Sequence, residues 1–341
     1  MKYFHGSVIA TIIGLVAAAW IGYSQQGSLT SLFNVVFIVT VLAVLEVSLS
    51  FDNAIVNARV LKNMDTIWRK RFLTWGMLIA VFGMRVLFPL LIVAIVAAVS
   101  PLEAFTLALS DPEAYEKIMF TAEPYIIGFG ASFLAMVGLT YFFDAEKDVH
   151  WIHRVETWLK SIGQLYLAEV MAVLLISTVI AYHLPTPLQF AFLASCILGI
   201  AVFTLVRWIE NLTEHLGKNM TRSVASVGIA SFLYLEVVDA SFSFDGVIGA
   251  FALSNNILII AIGLGIGAFF VRSFTIMLVE KNTLQDYKYL EHGAFWALLA
   301  LAAMMYMSLF IHIPEVIVGG IGLLMLTASL ISSRRHAART M

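Results

Sequence analysis

Charge is scarce in this sequence and cysteine nearly absent. Only 12% of its 341 residues are Asp, Glu, Lys or Arg, about half the share of an ordinary soluble domain, whereas 61% are hydrophobic. A soluble globule could not keep so much apolar surface from water. The net charge of −2 excludes a polybasic nucleic-acid binder. The single cysteine, Cys196, lies in an apolar stretch and excludes an internal disulfide or a cysteine metal site. Low-complexity linkers and a separate soluble domain are missing too. What is left is an all-α, polytopic membrane protein.

Apolar stretches mark about ten spans: 8–24, 32–58, 72–99, 124–143, 166–183, 188–208, 223–252, 257–279, 293–311 and 315–332. Each is near or above the roughly 17–25 residues a membrane helix needs. Basic residues gather in alternate connections: Lys2, then Arg59 to Arg71, Lys147 to Lys160, Arg207 to Arg222, Lys281 and Lys288, and Arg334 to Arg339. Because Lys and Arg accumulate on the cytoplasmic side, ten spans with both termini cytoplasmic satisfy every connection. A cleaved signal peptide is the alternative reading of the first span, since Lys2 precedes an apolar run ending in Ala17-Ala18-Ala19.

Against this apolar background two acidic motifs stand out. One runs from Glu46 through Ser-Phe-Asp52 to Asn53, the other from Asp239 through Ser-Phe-Asp245 to Gly246. A carboxylate placed mid-bilayer costs about 2.5–3.5 kcal/mol on insertion scales, so each is a functional-site hypothesis by default. The copies superpose at one offset, Glu46 onto Asp239 and Asp52 onto Asp245. The following spans match as well: Gly76 precedes Arg85 as Gly263 precedes Arg272. Expected from this is an inverted repeat of halves 32–143 and 223–332, the usual build of a secondary transporter with a midplane site. The motif spans are longer than the bilayer requires, and the two carboxylates of each lie about 120° apart on a straight helix. Both motif helices are therefore expected to break, near Ser48 to Asn53 and near Ser241 to Gly246, so that the acids converge. Between the halves, 144–165 reads as a cytoplasmic amphipathic helix lying on the membrane interface. Asp111-Pro112-Glu113 reads as the start of a short external helix.

The acids Glu46, Asp52, Glu236, Asp239 and Asp245, with Asn53 and the accessory Ser50 and Ser243, offer only oxygen. Oxygen ligands suit hard cations such as Mn²⁺ or Ca²⁺. Carboxylates so clustered oppose one another's ionisation, so the site holds either a metal or protons, which is an antiporter in outline. Arg85 and Arg272 are placed to supply counter-charge or gating. Asn57, near the end of its span, reads as an interfacial, solvated residue. The metal is the expected substrate, the bilayer the expected partner, and neither an organic cofactor nor enzymatic activity is expected. Two other readings use the same residues: a proton- or Na⁺-coupled transporter of another small solute, and an intramembrane aspartyl protease built on Asp52 and Asp245.

At Glu46 to Ala58, and again from Leu235-Glu236-Val-Val-Asp239 to Phe244-Asp245, the sequence resembles the TerC family of integral membrane proteins, in the LysE-type transporter superfamily. That resemblance implies export of divalent metal, chiefly manganese, across the bacterial inner membrane. It carries metal-site roles to Glu46, Asp52, Asn53, Glu236, Asp239 and Asp245. The sequence departs from the family pattern at Gly246-Val247-Ile248, where a hydroxyl ligand and a helix-breaking proline are usual.

Overall fold

The computed structural model describes every residue except 1–2, 77, 166, 218–222, 252, 282–285 and 341. Among the described residues it is all helical: α1 (His5–Gln26), α2 (Leu29–Leu49), α3 (Phe51–Asn63), α4 (Thr66–Arg71), two π-helical stretches (Phe72–Gly76 and Ile79–Leu87), α5 (Phe88–Val96), α6 (Pro101–Ser110), α7 (Pro112–Phe143), α8 (His153–Ile162), α9 (Ala168–His183), α10 (Thr186–Gly217), α11 (Ser223–Phe251), α12 (Ile257–Glu280), α13 (Leu290–Ser308) and α14 (Glu315–Thr340).

Seven of these helices are long and apolar enough to cross a membrane, and an eighth span is formed if the pair 82–96 and 101–110, bent by 103°, counts as one. The chain is thus a multi-pass membrane bundle, with fewer simple spans than the ten expected. The shortfall has physical reasons. The third expected span is widened into π-helix and turns back at Ala98, whose φ is 54°. The fifth, α9, has only 16 residues. The side chains of the seventh, α11, lie in part outside the described residues.

Outward faces of α1 and α2 are apolar, with Ile12, Ile13, Trp20, Phe33 and Phe37 exposed, as a lipid-facing surface requires. The centre is α7, whose face from Gly128 to Gly138 is buried almost without interruption, packed on α10, α11 and α13. Cys196 is buried in this core. α2 and α3 lie along α12, while α11 lies along the Ile79–Leu87 stretch. Each motif helix therefore packs against the helix that follows the other motif.

The two motif helices behave differently. The first breaks at Ser50, whose φ of −104° and ψ of 13° separate α2 from α3. The second does not break: α11 runs unbroken through Ser241 to Gly246, and Ser241 returns its hydroxyl to the carbonyl of Val237 at 2.9 Å. Gly246 provides room instead of a hinge, because a Cβ there would stand 3.2 Å from Oε2 of Glu46.

Two flanking segments also differ from expectation. Asp111 caps α7 itself, accepting from the amide of Ala114 at 3.1 Å, so the external helix is continuous with the span. The interfacial helix starts only at His153. Residues 144–152 form an irregular strap, tied down by buried Glu156, which accepts from the amides of Trp151 (3.1 Å) and Ile152 (3.2 Å), the Trp296 indole (3.1 Å) and Lys147 (3.3 Å). Ile152, Val155 and Trp158 remain exposed, an apolar edge suited to a membrane surface.

Candidate functional site

Where α3, α11, α12 and the π-helical segment meet, a cavity opens with about 50 Å³ for water centres, enough for a few waters or one partly dehydrated ion. Its polar lining is Ser50, Asn53, Asn57, Arg85, Asp239, Ser243, Arg272 and Thr275. The helical register explains the first part. Asn53 and Asn57 are one turn apart on α3, hence on one face, and each donates its side-chain amide to Oδ1 of Asp239 at 2.8 Å. That orientation leaves the Oδ1 atoms of both asparagines buried without a partner, and Ser243 Oγ is unpartnered as well. A buried oxygen without a partner typically costs about 1–3 kcal/mol. Three of them beside one carboxylate form an acceptor surface awaiting a donor or a cation.

Glu46 sits behind this wall, 1% exposed. Its Oε1 accepts from Ser50 Oγ at 2.8 Å and from Nη2 of Arg85. Arg85 also donates to the carbonyl of Ala80, while its Nε is buried and unpartnered. The close approach of α12 makes room for Glu46: a Cβ at Gly267 would lie 2.5 Å from Glu46 Cβ and Cγ. Side chains at that position would push α2 and α12 apart.

Glu236 is buried one turn before Asp239 on α11, and neither of its carboxylate oxygens has a hydrogen-bond partner. It faces the backbone of the π-helical stretch, where a Cβ on Gly76 would come within 2.6 Å of Oε1. In the same turn, the carbonyl of Leu73 accepts from Nη2 of Arg272. Among the described residues no carboxylate lies within 4 Å of Arg272.

The residues expected at the site are thus partly gathered. Asn53, Asp239, Ser50, Ser243, Arg85 and Arg272 line one cavity, and Glu46 reaches it through Ser50 and Arg85. Asp52 is buried but does not line the cavity, and accepts from the amide of Asn53 at 3.0 Å. The side chain of Asp245 lies outside the described residues. No group of three or more Asp, Glu, His or Cys side chains close enough to hold a metal occurs among the described residues. The cage of converging acids expected from the sequence includes Asp245; among the described residues the cavity is lined by one carboxylate ringed by neutral oxygens, with two arginines at its edge.

Two contributors were misjudged or missed in the sequence. Asn57 is buried and binds Asp239, and its spacing of four from Asn53 was the available signal. Thr275, also lining the cavity, carries no signal at all.

A family model described as "Protein of unknown function (DUF475)" matches residues 51–340. The chain belongs to the DUF475 family. The DUF475 match starts at the break after Ser50, so it takes in Asn53, Asn57, both arginines and all of α11, and leaves Glu46 just outside. No curated protein and no solved structure matches the chain.

Proposed function

We propose that this protein is a secondary transporter that exports a hard divalent cation, Mn²⁺ before Ca²⁺, in exchange for protons, across the bacterial inner membrane with both termini cytoplasmic. The observation that carries the reading is the set of buried, unpartnered oxygens around Asp239. Among the described residues, Asn53 Oδ1, Asn57 Oδ1 and Ser243 Oγ lack partners, and no His or Cys lines the cavity. An all-oxygen set that is mostly neutral suits a cation that sheds water readily, which disfavours Mg²⁺. The resemblance to the TerC family points the same way.

In this reading Asp239 and the asparagines receive the cation, and Arg85 stands in for it at Glu46 while the site is empty. Arrival of a divalent cation lets Glu46 exchange one positive partner for another, so that the buried charge of Glu46 keeps a counter-charge throughout. Asp52 and Glu236 serve as outlying acids on the path.

Arg85 and Arg272 at the cavity edge favour a second reading, a coupled transporter of a small solute bearing an anionic group. The cavity's size speaks against an organic solute in this conformation. An aspartyl protease would need Asp52 at a water-filled site, and Asp52 lines no such cavity. The test is flux into proteoliposomes across a panel of divalent cations and small organic anions, with and without a pH gradient. Cation flux that moves protons the opposite way supports the proposal; uptake of organic anions without cation flux overturns it.

A further inference from the structure

The two arginines at the cavity are used differently. Arg85 has a carboxylate, Glu46, whereas Arg272 bonds a backbone carbonyl and keeps a buried, unpartnered Nε. Among the described buried acids, Glu46 is occupied by Arg85 and Ser50, and Asp239 by Asn53 and Asn57. Glu236 is left with both oxygens unpartnered. An unpaired acid and an unpaired base thus flank one short stretch of chain: Glu236 presses on Gly76, and Arg272 holds the carbonyl of Leu73, both within the π-helical residues Phe72–Gly76.

We propose that Arg272 and Glu236 pair with each other in a second conformation of the protein, reached when the turn 72–76 rewinds, and that this pair forms as the Arg85–Glu46 pair opens. A π-turn closes its hydrogen bonds over five residues instead of four and holds one extra residue. Rewinding it to α-helix shifts the register of everything after it by one residue, a rotation of about 100°. Arg85 lies after that turn, on the stretch Ile79–Leu87, so the same movement carries its guanidinium off Glu46. It also withdraws the Leu73 carbonyl from Arg272 and the Gly76 backbone from Glu236. One buried ion pair is exchanged for another, and the energetic cost of an unpaired charge in the bilayer is present on only one side of the turn at a time. The movement would open the cavity toward opposite faces in its two states. This deepens the transport reading but does not depend on which ion is carried.

The test uses a reporter that needs no substrate. On a C196S background, the variant T275C, at a position that lines the cavity, is labelled with a water-soluble maleimide in proteoliposomes, and the labelling rate reads the opening of the cavity. E236Q and R272Q are each expected to change that rate at least ten-fold. The double variant E236Q/R272Q should match one single variant instead of multiplying the two effects, and the exchanged pair E236R/R272E should return to within about three-fold of the parent. Thermal unfolding in detergent identifies variants that fold, and the comparison is made among these. Multiplying single effects with no recovery in the exchanged pair overturns the proposal, as does a parent that is never labelled. Absence of cation flux alongside an intact labelling cycle would remove the transport reading alone.

Discussion

Asn57 on α3 donates its side-chain amide to Asp239 on α11 at 2.8 Å, across 182 residues of sequence. With Asn53 it fixes the orientation of the one carboxylate that lines the central cavity among the described residues. Because both amides point their nitrogen at Asp239, both carbonyl oxygens are turned to where no protein donor waits. Replacing Asn57 with Leu, similar in size, removes a donor and an acceptor together. It should lower cation flux at least ten-fold while leaving thermal unfolding within a few degrees of the parent. Flux equal to the parent would place Asn57 outside the pathway.

Arg85 occupies Glu46 as a built-in cation. Removing one member of a buried ion pair typically costs about 3–5 kcal/mol, so R85Q should unfold at lower temperature than the parent. Added Mn²⁺ should restore R85Q more than it raises the parent, because the metal takes over the neutralising role. Equal Mn²⁺ responses of the two proteins would show that Glu46 and the cation do not meet.

Close approach at two glycines makes a steric prediction. G267A inserts a methyl 2.5 Å from Glu46 Cβ, against packed helices, and overpacking of this kind costs about 1–3 kcal/mol. Reduced thermal stability is expected. G76A meets instead the carboxylate end of Glu236 at 2.6 Å, a group that can move, so it should impair flux more than stability. A G76A protein with parental flux would mean that Glu236 need not sit against this turn.

The strap at 144–152 predicts a pH dependence of stability. Burial opposes the charge of Glu156, but the Trp296 indole and Lys147 outweigh it and hold its carboxyl below the ordinary range. Its stabilising contribution is therefore complete above the ordinary Glu value and is lost as pH falls through the depressed one. Burial pushes Lys147 down to about 8 in spite of Glu156, so the folded state gives up that proton before the unfolded chain does. Stability from this group rises between about pH 8 and the ordinary lysine value of 10.5. E156Q should flatten the acid side of the unfolding profile and K147M the alkaline side; profiles unchanged in both variants would exclude these groups as the source.

How much of this was legible in the sequence follows from which interactions are local. The membrane bundle could be read because hydropathy is a sum over neighbours, and the acids could be read because charge is conspicuous in an apolar run. The break at Ser50 was anticipated from the excess length of that helix. The unbroken α11 was not, because Gly246 serves the side chain of Glu46, a contact remote in sequence. Asn57 reads in the sequence as a solvated residue because its partner, Asp239, is 182 residues away. Two pairs of glycines with the same spacing, 128/130 and 320/322, look alike in the sequence, yet Gly128 approaches the carbonyl of Phe192, at 2.9 Å from an added Cβ, while Gly320 and Gly322 face open space. The π-helical stretches have no composition that marks them, although the second ends just ahead of Pro89, which cannot supply an amide proton to the carbonyl four residues back.

The central claim is that a divalent cation passes through the cavity at Asp239. Mn²⁺ uptake by proteoliposomes holding equal amounts of folded parent and D239N tests it most directly, since Asn keeps the size of the side chain and removes its charge. The account predicts Mn²⁺ flux in the parent and a loss of at least a hundred-fold in D239N. Parental flux in D239N would contradict it.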